Sequence, residues 1–454
     1  MRQYKKYERY KDTGVEWIGD IPEHWELRRI KFIGTLYSGN GFKEELQGKE
    51  EGDYPFYKVS DINGDGKLVT FSNNYVDKDD IVNNRWNIIP QNSILFAKIG
   101  EALKKNHRKI NAYSCLIDNN IAALKPHEIV LDYNYFYYYF SCINAEWFVN
   151  PGTLPSINNT YLKNFIALLP SKNEQKIIAN FLDQKTAEID VLIADKEKLI
   201  ELLQEKRQAI ITETVTKGLN PNVKMKDSGI EWIGEIPEHW EVSKIKFTTY
   251  VKGRIGWQGL RADEFIDEGP YLVTGTDFVD GLVNWDSCYH ISMERYNEAP
   301  PIQLRENDLL ITKDGTIGKV AIVKNKPKYA ILNSGIFVTR PKNSAYLTEF
   351  MYWILNSQVF NKFIQYMSLG STIVHLYQQT FENFSFPITN LNEQKTIAHF
   401  LDRKVAEIDG LISDIKLQIQ KLKEYRQSLI SEAVTGKIDV REFQKKNEVI
   451  FRNE

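Results

Sequence analysis

The sequence predicts an α+β protein: two mixed α/β domains separated by two long antiparallel coiled-coil helices, arranged as a pseudo-two-fold internal repeat. Three observations predict it. The segment from Asp12 to Glu26, with Glu16-Trp17-Ile18-Gly19 and Ile21-Pro22-Glu23-His24-Trp25, returns almost unchanged from Asp227 to Glu241, 215 residues on (227 − 12). A second block, Asn173-Glu174-Gln175-Lys176 through Phe181-Leu182-Asp183 and Ala187-Glu188-Ile189-Asp190, returns as Asn392-Glu393-Gln394-Lys395 through Phe400-Leu401-Asp402 and Ala406-Glu407-Ile408-Asp409, 219 residues on (392 − 173). Third, apolar residues recur at every seventh position through the region behind each copy of the second block.

A chain of 454 residues is too long for one ordinary core and fits two domains with connecting elements. An apolar content of 42% and a charged content of 26% describe an ordered globular protein. No run approaches the roughly 18 apolar residues of a membrane span, and the first residues lead into no apolar signal core. No membrane association and a cytoplasmic location are therefore expected. The three cysteines, Cys115, Cys142 and Cys288, lie far apart without zinc or redox spacing, which suits a reducing compartment. With a net charge of −2, any basic surface must be local.

The repeats divide the chain into five parts. A first variable domain covers residues 1–170, and a first helical region 171–218, ended by Gly218-Leu219-Asn220-Pro221. A second variable domain covers 219–388, a second helical region 389–436, and a polar tail 437–454. In the second helical region Leu401, Ile408, Ile415, Leu422 and Leu429 form a heptad seam, widened by Phe400, Leu411, Ile412 and Ile419. The first offers Leu182, Ile189, Leu203 and Ile210, with Lys196 interrupting the row. Helices of about 44 residues at roughly 1.5 Å per residue make a spacer of about 65 Å. That length is commensurate with one to two turns of a DNA duplex, at roughly 34–36 Å each.

Within the variable domains, Ser93 to Lys98, Ile121 to Leu124, Asp308 to Thr312, Val320 to Val323 and Gly335 to Thr339 read as strands. The aromatic runs Tyr133 to Phe140 and Phe350 to Leu355 read as buried helices, because aromatics inside an apolar helix usually fill volume.

Two diverged domains alternating with two near-identical helical regions, each opened by Asn-Glu-Gln-Lys and followed by Phe-Leu-Asp, resemble the specificity subunit of type I restriction-modification systems. The resemblance spans nearly the whole chain. Further marks are Lys98-Ile99-Gly100, Lys313-Asp314-Gly315-Thr316-Ile317-Gly318-Lys319, Gly152-Thr153-Leu154-Pro155-Ser156-Ile157 and Gly370-Ser371-Thr372-Ile373-Val374-His375-Leu376. One departure is the extension Tyr4-Lys5-Lys6-Tyr7-Glu8-Arg9-Tyr10 ahead of the first repeat.

The resemblance implies a DNA reader with no catalytic residue, metal site or cofactor of its own. Each variable domain, a target recognition domain, would read one half of a split site in double-stranded DNA. The helices would set the gap and carry two modification subunits, which methylate adenine with S-adenosylmethionine. Restriction subunits would join to cleave unmodified DNA, driven by ATP with Mg.

Candidate DNA contacts follow from charge and hydrogen-bonding capacity. Lys98, Lys104 and Lys105 form a basic cluster with His107, Arg108 and Lys109; it suits phosphate neutralisation, although a solvated charged loop explains it as well. Asn106 and Arg108 carry the donors and acceptors for adenine and guanine edges. In the second domain Lys313 and Thr316 occupy the matching loop, where Asp314-Gly315 is equally a hairpin turn. That loop lacks the spacing of a phosphate-binding P-loop. Lys252 and Arg254, with Trp257 and Arg261, form another basic and aromatic stretch. Ser156, Asn158, Thr372 and His375 lie in the small, polar loops before the helices, and a turn setting the helix entry explains those loops too.

The doubled Trp17-Trp25 and Trp232-Trp240 segments cannot encode two different half-sites. They read as scaffold or as a dock for the modification subunit, with His24 and His239 packed rather than catalytic. Two other classes remain: a fused stand-alone methyltransferase or endonuclease, and a protein-binding coiled-coil adaptor. The first would need an Asn-Pro-Pro-Tyr-like motif, a glycine-rich cofactor loop or an acidic nuclease cluster, and none is evident. Salt-dependent duplex binding would separate the second from a DNA reader.

Overall fold

A computed structural model of the chain describes residues 4–64, 66–150, 155–254, 260–367 and 375–443. The chain forms two compact units, Met1–Lys196 with Leu417–Glu454, and Glu197–Lys416. This division cuts across the linear one. Each unit takes one variable domain together with the near half of one long helix and the far half of the other.

The long helices span Lys172–Lys217 and Leu391–Val434. In the first unit, Arg426 donates to both carboxylate oxygens of Asp190 (2.8 and 3.1 Å), and the Lys196 ammonium donates to Gln418 Oε1 at 2.7 Å. Partner numbers fall as residue numbers rise, so the two helical segments there run antiparallel. The second unit repeats the first bridge, with Arg207 on Asp409 at 2.9 and 3.2 Å. The aspartate of the repeated Ala-Glu-Ile-Asp motif thus takes an arginine from the other helix in both copies. Such half-exposed pairs are each worth at most about 1 kcal/mol, so they set register more than stability.

Of the seam residues, Leu182, Ile189, Leu401, Ile408, Ile415 and Leu429 are buried, while Leu203, Ile210 and Leu422 are partly so. Leu411, expected on the seam, is exposed. Lys196 fills its seam position with a polar contact to Gln418 rather than leaving a gap.

The first variable domain is built on a five-stranded sheet, in the order Gly34–Ser38, Ile121–Pro126, Ile94–Ala97, Arg108–Asn111, Leu68–Val69. A three-stranded sheet, Leu116–Ile117, Tyr54–Tyr57 and Tyr75–Val76, accompanies it. The second domain has a six-stranded counterpart, in the order Thr249–Gly253, Ile336–Pro341, Leu309–Thr312, Val320–Ile322, Leu282–Val283, Phe278–Val279. Its smaller sheet is Tyr289–His290, Ile266–Val273 and Ala330–Leu332. The central strands Ile94–Ala97 and Leu309–Thr312 are buried throughout, as continuous apolar runs should be.

The aromatic runs form helices Tyr133–Ser141 and Thr348–Leu355. Tyr135, Phe136, Tyr138, Tyr139 and Phe140 are buried, so the aromatics fill core volume. Asp132 caps the first of these helices by accepting from the Asn134 and Tyr135 amides.

The extension and the tail, which the sequence leaves without partners, meet in the first unit. The Asp439 amide donates to Lys5 O at 2.7 Å, and Tyr10 Oη donates to Gly436 O at 3.0 Å. The Arg441 guanidinium lies 4.8 Å from the centre of the Tyr7 ring. Ile438 and Val440 are buried, so the start of the tail is packed rather than solvated. Among the described residues, no helix is long and apolar enough to cross a membrane.

Candidate nucleic-acid interface

The repeated blocks explain themselves once folded. His24 Nε2 lies 3.0 Å from Glu174 Oε2, and Tyr7 Oη donates to Glu174 Oε1 at 2.7 Å. The same pairing joins His239 to Glu393 at 3.1 Å. Next in sequence, Trp25 and Trp240 are fully buried, each beside a helix-ending glycine of left-handed backbone. A side chain at Gly436 would lie 3.2 Å from the Trp25 ring, and one at Gly218 would lie 3.3 Å from Trp240. Each His-Trp pair therefore ties the start of one long helix to the end of the other.

Gln175 and Gln394 are buried staples. Gln175 Oε1 accepts from the Asp132 amide, and its Nε2 donates to Val130 O and Pro170 O. Gln394 accepts from the Leu347 amide and donates to Thr389 O. The aspartates of Phe-Leu-Asp receive the aromatic helices: Tyr138 Oη donates to Asp183 at 2.6 Å, and Trp353 Nε1 to Asp402 at 2.9 Å. Burial costs the Lys67 ammonium part of its proton affinity, and its salt bridge to Asp183 at 2.6 Å offsets that only in part. Sequence reasoning missed these roles, although the retention of the same residues in both copies was the available signal.

Each unit then brings its two suspected DNA loops together. In the first, the strand Ile94–Ala97 runs into Lys98, whose carbonyl accepts from the Ile157 amide at 2.9 Å. The Gly100 amide donates to Pro155 O at 2.9 Å, and Ile99 bridges Ser156. Gly100 has φ +72°, a conformation that favours glycine. In the second, Lys313 follows the strand Leu309–Thr312, and its carbonyl accepts from the Leu376 amide at 2.8 Å. Asp314 bridges His375 in the backbone, and the two side chains are also hydrogen-bonded. One backbone clamp thus holds different side chains in the two copies.

Lys104, Lys105, Lys252 and Thr316 are exposed, and Lys98, Lys313 and Ser156 are partly so. Lys104 also pairs with Glu101 at 2.7 Å. The Lys313 ammonium lies 5.1 Å from the centre of the Phe337 ring. Thr372 and Trp257 lie outside the described residues.

The expected roles of several residues are corrected. Arg108 is buried, between the Phe96 and Phe140 rings, and donates to Asn106 Oδ1 and His107 O. Burial pushes its pKa down to about 9. Asn106 spends its amide on Ile143 O and accepts from the Ala145 amide. Neither presents an edge to a base. Arg254 is buried with Nε on Leu332 O, and burial lowers its pKa to about 10. Asn158 caps the helix Asn159–Asn164 through the Thr160 and Tyr161 amides, and its Nδ2 goes to Asn150. Trp25 and Trp240 are buried, so they are scaffold rather than dock; Trp17 stays partly exposed over Phe165, and Trp232 donates to Ser385 O.

Replacing Arg108 with Met is therefore expected to leave duplex affinity unchanged, since a buried cation can give way to an apolar chain at little cost. Substituting Lys98, Lys104 and Lys105 by Gln together should weaken binding to all sequences and flatten the salt dependence, by up to about 2.7 in log–log slope. Fluorescence anisotropy on duplexes over a range of salt measures both.

Among the described residues no group of three or more His, Cys, Asp and Glu is placed to hold a metal ion. Burial pushes the thiols of Cys115, Cys142 and Cys288 up to about 12, which leaves little reactive thiolate at neutral pH.

A doubled α+β frame, with one clamped loop surface in each copy, defines a protein built to present two related but different faces. The model of the type I restriction modification DNA specificity domain matches residues 22–202 and 237–421. The chain belongs to that family. It is 24% identical over 460 residues to the type I restriction enzyme MjaVIII specificity subunit of Methanocaldococcus jannaschii, covering 97% of this chain and 98% of that one. It is 23% identical over 435 residues to the EcoBI specificity subunit of Escherichia coli, covering 94% and 89%. In fold it resembles a solved chain from work on complex assembly and conformational transition of the type I R-M system, with a TM-score of 0.69 at 13% identity, covering 91% and 98%.

Proposed function

We propose that the chain reads a bipartite site in double-stranded DNA, one half per variable domain, and carries two adenine-methylating modification subunits to it. The observation that supports this most is the repeated clamp: the Ile157 and Leu376 amides make the same bond to Lys98 and Lys313, while neighbouring side chains differ. A common frame with altered side chains is what reading two sequences requires, because base contacts specify and backbone contacts position. In this reading the chain performs no chemistry. S-adenosylmethionine, ATP and Mg belong to modification and restriction subunits that assemble on it in the cytoplasm.

An adenine-methylation map of cells expressing the chain with its modification subunit, against cells lacking it, tests the proposal. A new split motif methylated on both strands is the expected result. An assembled complex without any new motif would sink it. The helices are assigned the gap: removing one heptad from each shortens the rod by about 10 Å, roughly three base pairs. The same map should then show unchanged half-sites around a shorter spacer. An unchanged spacer would take the measuring role from the helices.

A further inference from the structure

Ile30-Lys31-Phe32 returns as Ile245-Lys246-Phe247, on the short helices Ile30–Ile33 and Ile245–Thr248. In both copies the isoleucine is buried and the phenylalanine points outward, 65% exposed at Phe32 and 66% at Phe247. In both, the adjacent lysine ammonium sits over the ring, 5.2 and 4.9 Å from its centre. A single exposed phenylalanine is ordinary on a protein surface, but the same exposed Lys-Phe pair at the same place in two otherwise diverged domains is not.

The position argues against DNA as that contact. Gly34, just after Phe32, pairs with Pro126, at the sheet end where Ile94 starts its strand opposite Leu124. The clamped loop leaves from the other end, where Ala97 faces Ile121 and Ser38 faces Ala122. In the second unit, Thr249 follows Phe247 closely and pairs with Pro341, while Gly253 pairs with Phe337 near the Lys313 end. Each Lys-Phe pair therefore stands at the end of its sheet opposite the reading loops. Cations outnumber carboxylates around each pair: Arg29 is exposed near Phe32 beside Arg28, which is paired with Glu26 at 2.9 Å, and Lys342 donates to Lys246 O at 2.8 Å. In the first unit, Phe32 shares an open cleft with Ile129, which is 93% exposed, and with Lys172 at the helix start.

We infer that Phe32 and Phe247 are anchors for two copies of one protein partner, each inserting into an apolar pocket rimmed by carboxylates that meet the lysines and arginines. The duplication selects this occupant, because two half-sites of different sequence would not preserve one exposed ring, whereas two identical subunits would. Aromatic side chains are enriched at protein interfaces, and a few such anchors carry most of the binding energy. The inference rests on the reading that the chain carries two modification subunits, and it names where they sit.

The test uses the full chain and the modification subunit of the same system, with bound copies counted by size-exclusion chromatography with light scattering. The wild-type chain should bind two copies, Phe32→Asp or Phe247→Asp one each, and the double variant none. The affected site should weaken by roughly 30-fold or more. Melting temperature and duplex binding of the isolated double variant should stay unchanged, since both rings are exposed. A double variant that still binds two copies would overturn the docking surface and leave the partner reading intact. A wild-type chain that binds none would overturn both. Loss of duplex binding with assembly intact would give the surface to DNA instead.

Discussion

Trp240→Ala is expected to destabilise the second unit by about 3–5 kcal/mol, and Trp25→Ala the first by a similar amount, the range for truncating a fully buried large aromatic. Each indole is wholly excluded from solvent. Each also stands against a helix-ending glycine, close enough that an added side chain there would lie 3.2 Å from Trp25 and 3.3 Å from Trp240. Trp240 belongs to a cluster that includes Ile211 and Val215 of the first long helix, Ile397 and Leu401 of the second, and Phe350 and Phe384 of the domain. Removing it loosens three elements at once. For a unit of this size, 1 kcal/mol moves the melting temperature by roughly 2–4 °C, so a fall of about 6–20 °C is expected by calorimetry. Trp17→Ala, at a partly exposed ring, should cost much less. Equal losses at Trp17 and Trp25 would show that burial beside the helix end is not what the repeated segment supplies.

Much of this architecture was legible from periodicity and repetition. Heptad spacing marked both long helices, and continuous apolar runs marked the central strands, because these patterns are local and survive without knowledge of the fold. What the repeats were for was not legible. His24 meets Glu174 across 150 positions, and Gln175 reaches back to the amide of Asp132, so their meaning appears only when distant segments are joined. The candidate site was legible as a location more than as a residue set. Lys98 and the loop before the helix do converge. Arg108 failed as a base reader because it opens the wholly buried strand Arg108–Asn111, which a basic stretch conceals in the sequence, and Phe140, 32 positions further on, supplies a ring that buries it. Asn158 failed because a polar residue before a helix serves as its cap, a demand that competes with DNA for the same oxygen. The same logic isolates Lys104 and Lys105, which no core requirement claims.

Exchanging residues 219–388 for the corresponding domain of another family member is expected to change one half of the methylated motif and leave the other half and the spacer untouched. The structural ground is that the loop surface of Lys313, Asp314 and His375 is assembled wholly within the second unit. Three of the bonds by which the exchanged segment meets the helices use residues present in both copies. Gln394 takes the Leu347 amide, Asp402 takes the Trp353 indole, and Glu393 takes His239. Because Gln175, Asp183 and Glu174 make the matching bonds in the first unit, these sockets tolerate different domains already. A donor domain should therefore carry a hydrogen-bond donor where Trp353 stands, a His where His239 stands, and a free amide where Leu347 stands. A methylation map of the chimera, complexed with the modification subunit, reads the outcome. A change in both half-sites would mean that the two loop surfaces read together. A lost motif from a chimera that folds and assembles would mean that the reading residues extend outside the exchanged segment, beyond the clamp at Lys313.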